Sequence, residues 1–290
     1  MKLRLIIFFN LFVAELIAHG QTQLTAGMSY TRQSLTWSIA GNLNGTSPNI
    51  FSELKWQRVM GAGALVAYQH PITKRWAVFA EYQHQVLVQG SVTDSDYEGD
   101  DRTGRVFFAK VDAGKGYALA SQGGLLYQVF KRKSMTFTLG GGYGLMSQRF
   151  FLLNEKMGLR SSYTNQWYGP LLTGRLQLLA ESAFGITLKT TYHQVRYHAT
   201  GNWNLIERFQ HPVSFRHRAK GFGLENQLVM SYKMSGGLCV ELRPSYSYWT
   251  TGRGIDTVYK KDQSTPKTRL NDVTSEVLGV EVGVVWRLTN

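Results

Sequence analysis

Leu278-Gly279-Val280-Glu281-Val282-Gly283-Val284-Val285-Trp286-Arg287-Leu288 alternates apolar and polar residues almost without a break. Leu278, Val280, Val282, Val284, Trp286 and Leu288 fall on one face of an extended strand, with Gly279, Glu281, Gly283 and Arg287 on the other. Successive side chains of a strand point to opposite sides, so a period of two marks a strand whose faces meet different solvents. The same alternation returns from near residue 24 to near residue 288, with aromatic residues near the strand ends. Lipid outside and a polar lumen inside fit that pattern.

Other segments agree. Trp76, Val78, Ala80 and Tyr82 alternate with Glu81, Gln83 and Gln85, and Met135, Phe137, Leu139 and Tyr143 with Thr136, Thr138, Gly140 and Gly142. Leu238, Val240, Leu242, Tyr246 and Tyr248 alternate with Cys239, Glu241, Arg243, Ser245 and Ser247. Ionisable residues placed so regularly on one face would be costly in a soluble β-sandwich, whose inner face is dry.

The connections take turns between two lengths. Residues 41–50, 91–103, 153–165, 200–217 and 252–271 read as long polar loops, and 70–74, 131–134, 181–183 and 233–237 as short turns. Five long and four short connections predict an all-β fold: an antiparallel transmembrane β-barrel of about ten strands, with both termini on the short-turn side. Short periplasmic turns, long extracellular loops and an even strand count are the habit of outer-membrane barrels. Barrels of this size have side chains filling the interior, which argues against an open porin.

Upstream of this pattern, Lys2 and Arg4 precede an apolar stretch from Leu5 to Ile17, and Ala18 and Gly20 offer small residues before Gln21. This reads as an export signal over residues 1–20, with the barrel over 21–290. The stretch falls short of the ~20 apolar residues a spanning helix needs. No linker divides the remainder, so one domain is expected. The single cysteine, Cys239, excludes an internal disulfide framework and sits as an ordinary strand residue.

The formal charge is +13; the signal's Lys2, Arg4 and Glu15 carry one net positive charge, leaving +12 on the exported chain. Export turns this excess away from nucleic acid and toward an anionic membrane surface, in a Gram-negative envelope the phosphates of lipopolysaccharide. Basic residues that merely keep the loops soluble would give the same sum. No cofactor or resident metal is expected.

Against that charge, Asp94, Asp96, Glu98, Asp100 and Asp101 crowd into eight positions. Three readings compete. Asp94 and Asp96 would form a catalytic pair, because close like charges raise one pKa and leave a base beside an acid able to activate water. Alternatively, Asp94, Asp96, Glu98 and Gly99 echo the opening of a calcium loop, although Arg105 occupies the place of its bidentate glutamate. Or the acids are simply solvated.

Several segments resemble the omptin family, ten-stranded outer-membrane proteases of Gram-negative bacteria. Ser52-Glu53-Leu54-Lys55-Trp56 is similar to that family's second strand, Val92 to Tyr97 to its acidic loop, Gly142 to Phe150 to its fifth strand, and Val277 to Arg287 to its closing strand. Their colinear order spans essentially the whole exported chain. The resemblance implies an endopeptidase site at the extracellular rim, cleaving basic peptides, in which an acidic pair faces an Asp and a His across a cleft. Asp94 and Asp96 match the first pair, but Asn202 and Asn204 stand at the Asp and His positions. Asparagine can hold a water but cannot take its proton at neutral pH. His193, His198, His211 and His217 lie on the fourth loop or its flanks, and none has an aspartate beside it in the sequence.

The family's lipopolysaccharide contact is matched in part by Tyr143, Arg149 and Lys220, with Trp167 where an arginine would be expected. The expectation is therefore an omptin-like barrel with an incomplete peptidase site, acting in surface binding, adhesion or envelope structure. Its partners would be outer-membrane lipid, lipopolysaccharide and an extracellular peptide or protein. The alternative is an active peptidase with a relocated histidine; a narrow channel is the weakest reading.

Overall fold

The computed structural model describes residues 21–179 and 182–288. The export signal and two residues of the third short turn, 180 and 181, lie outside the described residues. Twelve strands follow one another: β1 (Thr22–Ile39), β2 (Ser52–Pro71), β3 (Trp76–Tyr97), β4 (Arg105–Asp112), β5 (Gly116–Arg132), β6 (Met135–Asn154), β7 (Leu159–Leu178), β8 (Phe184–Asn202), β9 (Phe215–Lys233), β10 (Leu238–Thr251), β11 (Gly254–Val258) and β12 (Lys267–Leu288). All pairings are antiparallel, and β1 pairs with β12, closing the sheet into a barrel.

Twelve strands make ten staves. β4 and β5 pair with the upper and lower parts of β3, so they are one stave broken at residues 113–115. β10 and β11 likewise share β9 and β12 and are one stave broken at 252–253. The first break ends at Gly116, whose φ is +143° and where a Cβ would fall 1.9 Å from the Arg149 carbonyl oxygen. Only glycine fits there.

The alternation at the C-terminus resolves as expected. Leu278, Val280, Val282 and Trp286 face outward opposite Arg32, Tyr30, Met28 and Leu24 of β1. With Val66, Tyr82, Leu139, Leu188, Phe222 and Leu242 they belong to an outward apolar band on strand after strand. Side chains line the lumen in three storeys. Nearest the short turns, Glu81 pairs with Lys189 (2.6 Å) and Arg175 (3.2 Å), and Arg243 with Glu241. Above them, Gln33, Gln85 and Gln148 hydrogen-bond to one another at 3.0 Å, Gln33 between the other two. At the top, Trp37, Trp56, Phe150, Tyr163, Trp167 and Tyr197 pack into a core with at most 3% exposure. These buried charges and amides persist because Glu81, Lys189, Arg243 and the three glutamines partner one another.

Two of the expected loops are strands. β3 runs on to Tyr97, so residues 91–97 are paired, and β6 and β7 shrink the third connection to residues 155–158. Above the lipid no face has to be apolar, so a polar sequence can remain a strand there; polarity alone cannot mark where pairing stops. The short turns agree with the expectation over the described residues.

Candidate functional site

Asp94 and Asp96 lie on β3 beyond Val88, the last exposed apolar residue of its outward band. In β2, Trp56, Leu54 and Ser52 stand opposite Val92, Asp94 and Asp96. Paired residues of an antiparallel ladder project to the same side, and Trp56 and Leu54 belong to the buried upper core, so both carboxyls point inward. Burial, reinforced by the Asp96 charge, pushes the Asp94 carboxyl up to about 7. Burial also raises Asp96, with the Ser52 hydroxyl opposing it. The pair thus has the electrostatics of an acid beside a base near neutral pH.

No histidine completes it: among the described residues none forms a hydrogen bond or ion pair with either carboxyl. Their place on a paired strand also removes the loop that a calcium site would need. The neighbouring acids serve the hairpin. Asp100 accepts the Asn49 backbone N–H (2.7 Å) and Asp101 its side-chain amide (2.8 Å), tying the first loop to the β3–β4 turn. Glu53 is gripped by Arg102 and Lys55, both at 2.7 Å; burial raises its carboxyl, but these two partners outweigh burial and hold it low.

The asparagines at the expected Asp and His positions are structural ties. Asn204 Oδ1 accepts from the Arg160 N–H and the Ser161 hydroxyl, and its amide donates to the Gly158 carbonyl. Asn202 Oδ1 accepts from His211 Nδ1 at 2.8 Å.

Two of the histidines gain the acidic neighbour that the sequence does not place beside them. The broken stave carries Asp256 of β11 opposite His217 of β9, with Nε2 3.4 Å from Oδ1. His193 Nε2 lies 3.6 Å from Glu225. His217 is the centre of a buried chain: the Tyr163 hydroxyl meets its Nδ1 at 2.8 Å and the Tyr197 hydroxyl at 2.7 Å. Burial raises both phenols far above their ordinary range, so both stay protonated. With the ring's proton on Nε2, the side facing Asp256, the donors would run Tyr197 to Tyr163 to His217 Nδ1. Trp37 packs edge-on to the ring at 4.9 Å, and His217 and Asp256 are both about 1% exposed. This aspartate–histidine pair is walled off from substrate.

On the outside, Tyr143, Arg149 and Lys220 are all exposed. Tyr143 and Arg149 share β6, while Lys220 lies on β9, three staves away. Trp167 does not stand at an outward headgroup position. It is fully buried in the lumen against Tyr197 (4.4 Å) and Trp249 (6.0 Å).

A model of the Protochlamydia outer membrane protein family, Pom, matches residues 24–288. The chain belongs to the Pom family. No curated protein matches it. Its fold is similar to that of the outer membrane protease OmpT from Escherichia coli, with a TM-score of 0.73 at 10% identity over 92% of this chain and 97% of that one. The outer membrane protein OprG from Pseudomonas aeruginosa aligns with a TM-score of 0.39, also at 10% identity, over 95% of this chain and 99% of that one. At such identity the OmpT likeness speaks for the barrel architecture alone. With the Pom match, it locates the protein in the bacterial outer membrane.

Two features of this Pom barrel escape a search for catalytic residues. Outward on β8 and β9, Arg196 stands opposite Lys220 and His198 opposite Arg218, with Arg216 beyond. None of these basic residues has an acidic partner among the described residues. Partial burial and the charges of Arg218 and Arg196 lower the His198 pKa. The sequence does carry the signal, since Arg216, Arg218 and Lys220 place a basic residue at every second position.

The second feature is an open seam. β4 pairs with β3 from Arg105 to Asp112, but on its other side it meets β6 only at Asp112 opposite Leu153. Its edge from Arg105 to Val111 is unpaired, and Val106, Phe107 and Phe108 there are each about half exposed.

Proposed function

We propose that this Pom barrel is a surface-binding protein of the envelope that captures an extended segment of an extracellular peptide or protein along the free edge of β4. The observation that carries the proposal is that edge: a seven-residue run in which every second residue turns its backbone groups to the open side, with three exposed large apolar side chains, beyond the outward apolar band. Unpaired edges are templates for strand addition, in which backbone hydrogen bonds give affinity and alternate side chains give selectivity. Proteins ordinarily blunt such edges with charge, and here only Arg105 and Lys110 do so. The packed upper lumen supports the same reading, because it makes the barrel a rigid pedestal for the hairpin. The basic ladder of β8 and β9 would hold the pedestal against the phosphates of lipopolysaccharide.

The test is selection of a displayed random-peptide library on the barrel in lipid vesicles. Enriched peptides should alternate apolar residues, and they should lose binding to a Phe107→Asp, Phe108→Asp variant while keeping it to Asp94→Asn, Asp96→Asn. Absence of enrichment, or indifference to the Phe107 and Phe108 changes, would sink the proposal.

One observation favours a second reading, an omptin-type endopeptidase: the Asp94 carboxyl near 7 beside Asp96. This reading needs a proton acceptor to approach the pair, with the acids drawing in basic peptides. Barrel in lipopolysaccharide would be incubated with Arg- and Lys-rich peptides. Cleavage lost in the Asp94→Ala, Asp96→Ala variant supports the reading, and no cleavage removes it.

A further inference from the structure

The lumen at the short-turn end holds a cavity of about 310 Å³, bounded by the β2–β3 turn and by the ends of β1 and β12. Six basic residues line it, Lys74, Arg75, Arg175, Lys189, Arg243 and Arg287, against only two acids, Glu81 and Glu241. The two acids are already engaged, Glu81 by Lys189 and Arg175 and Glu241 by Arg243. Lys74 and Arg287 have no acidic partner among the described residues. The Nε atoms of Arg175 and Arg287 are buried without a hydrogen-bond acceptor. Threonine and glutamine side chains, among them Thr136, Thr138 and Gln128, complete the wall with neutral hydrogen-bonding groups.

We infer that this vestibule is a binding site for a small multivalent oxyanion, such as a phosphorylated solute, entering from the periplasm. Unpaired guanidinium and ammonium groups in a narrow well with low-dielectric walls focus a positive potential. Guanidinium N–H groups match the geometry of phosphate oxygens, and buried donors left without acceptors are satisfied when such an anion arrives. The volume equals that of about ten waters, at ~30 Å³ each, which is room for a pyrophosphate-sized guest. Entry is from the short-turn end, because the aromatic storey fills the other. This site is independent of the β4 edge and of the outward basic ladder.

The experiment is calorimetric titration of the full barrel in a zwitterionic detergent with inorganic pyrophosphate at low ionic strength, with chloride as the monovalent control. Saturable one-to-one binding is expected, weakened at least tenfold in a Lys74→Gln, Arg287→Gln variant. Thr138→Glu, which keeps all six basic residues and adds a carboxylate to the wall, should weaken it as much. Arg218→Gln, Lys220→Gln, on the outer face, should leave it unchanged. The assignment is overturned if the native barrel shows no saturable binding, if both vestibule variants bind like the native protein, or if the outer-face variant abolishes binding.

Discussion

Asp94 illustrates how much a single side chain can inherit from its surroundings. Its carboxyl titrates near 7 in the folded barrel against 3.8 when unperturbed, so between those pH values the folded state holds a proton that the unfolded state has released. Stability therefore falls as pH rises from about 4 to 7 and levels off above. Asp94→Asn should remove that slope and stabilise the barrel by about 2–4 kcal/mol at pH 8 but not at pH 4, each pKa unit being worth about 1.4 kcal/mol. Urea unfolding in vesicles at the two pH values would show it, and an unchanged slope in the variant would contradict the assignment. His217 makes the opposite case. His217→Phe leaves the buried Asp256 carboxyl with the Thr268 hydroxyl but without the imidazole and should cost about 3–5 kcal/mol, much of which Asp256→Asn added to it should recover. Simple addition of the two losses in the same unfolding assay would show that the pair is not coupled. The acidic pair was legible in the sequence because its members are two residues apart. The His217–Asp256 pair was not, because only the broken ninth stave, formed by β10 and β11, brings those positions into register.

At the scale of elements, period-two alternation located the strands wherever one face meets lipid, as along β12. It lost its grip above the apolar band. There Ser91 to Tyr97 and Leu159 to Asn165 remain paired although neither face must be apolar, and so they read as loops. The same extension produces the β3–β4 hairpin, with its unpaired edge, which hydrophobic patterning cannot reveal because pairing depends on a neighbour that is distant in sequence. The ladder on β8 and β9 belongs to this scale too, since four basic residues act together only because the register sets Arg196 beside Lys220 and His198 beside Arg218. Each basic residue near an anionic surface contributes about 1 kcal/mol. Arg218→Gln, Lys220→Gln should accordingly weaken binding of lipopolysaccharide roughly ten- to thirty-fold relative to a neutral lipid, read as the loss of lipid-induced thermal stabilisation. Equal stabilisation of native and variant barrels would remove the ladder from headgroup recognition.

The whole molecule is a ring of ten staves, packed in its upper lumen and hollow toward the short turns, closed by β1 against β12 and left open at one seam above the lipid, between β4 and β6. A filled upper lumen moves function to the surfaces: hairpin edge above, basic ladder around, vestibule below. Of these the seam is central, because the proposed capture of an extended partner requires backbone groups that nothing in the barrel satisfies. Amide hydrogen exchange of the barrel in lipid bilayers, resolved residue by residue, tests it directly. Residues 117–127 of β5, paired on both sides with β3 and β6, should be protected throughout. From Arg105 to Val111 of β4, protection should alternate, with the amides turned toward β3 slow and those turned toward the seam exchanging freely. Uniform protection along β4 would mean that the seam is closed, and would contradict the account.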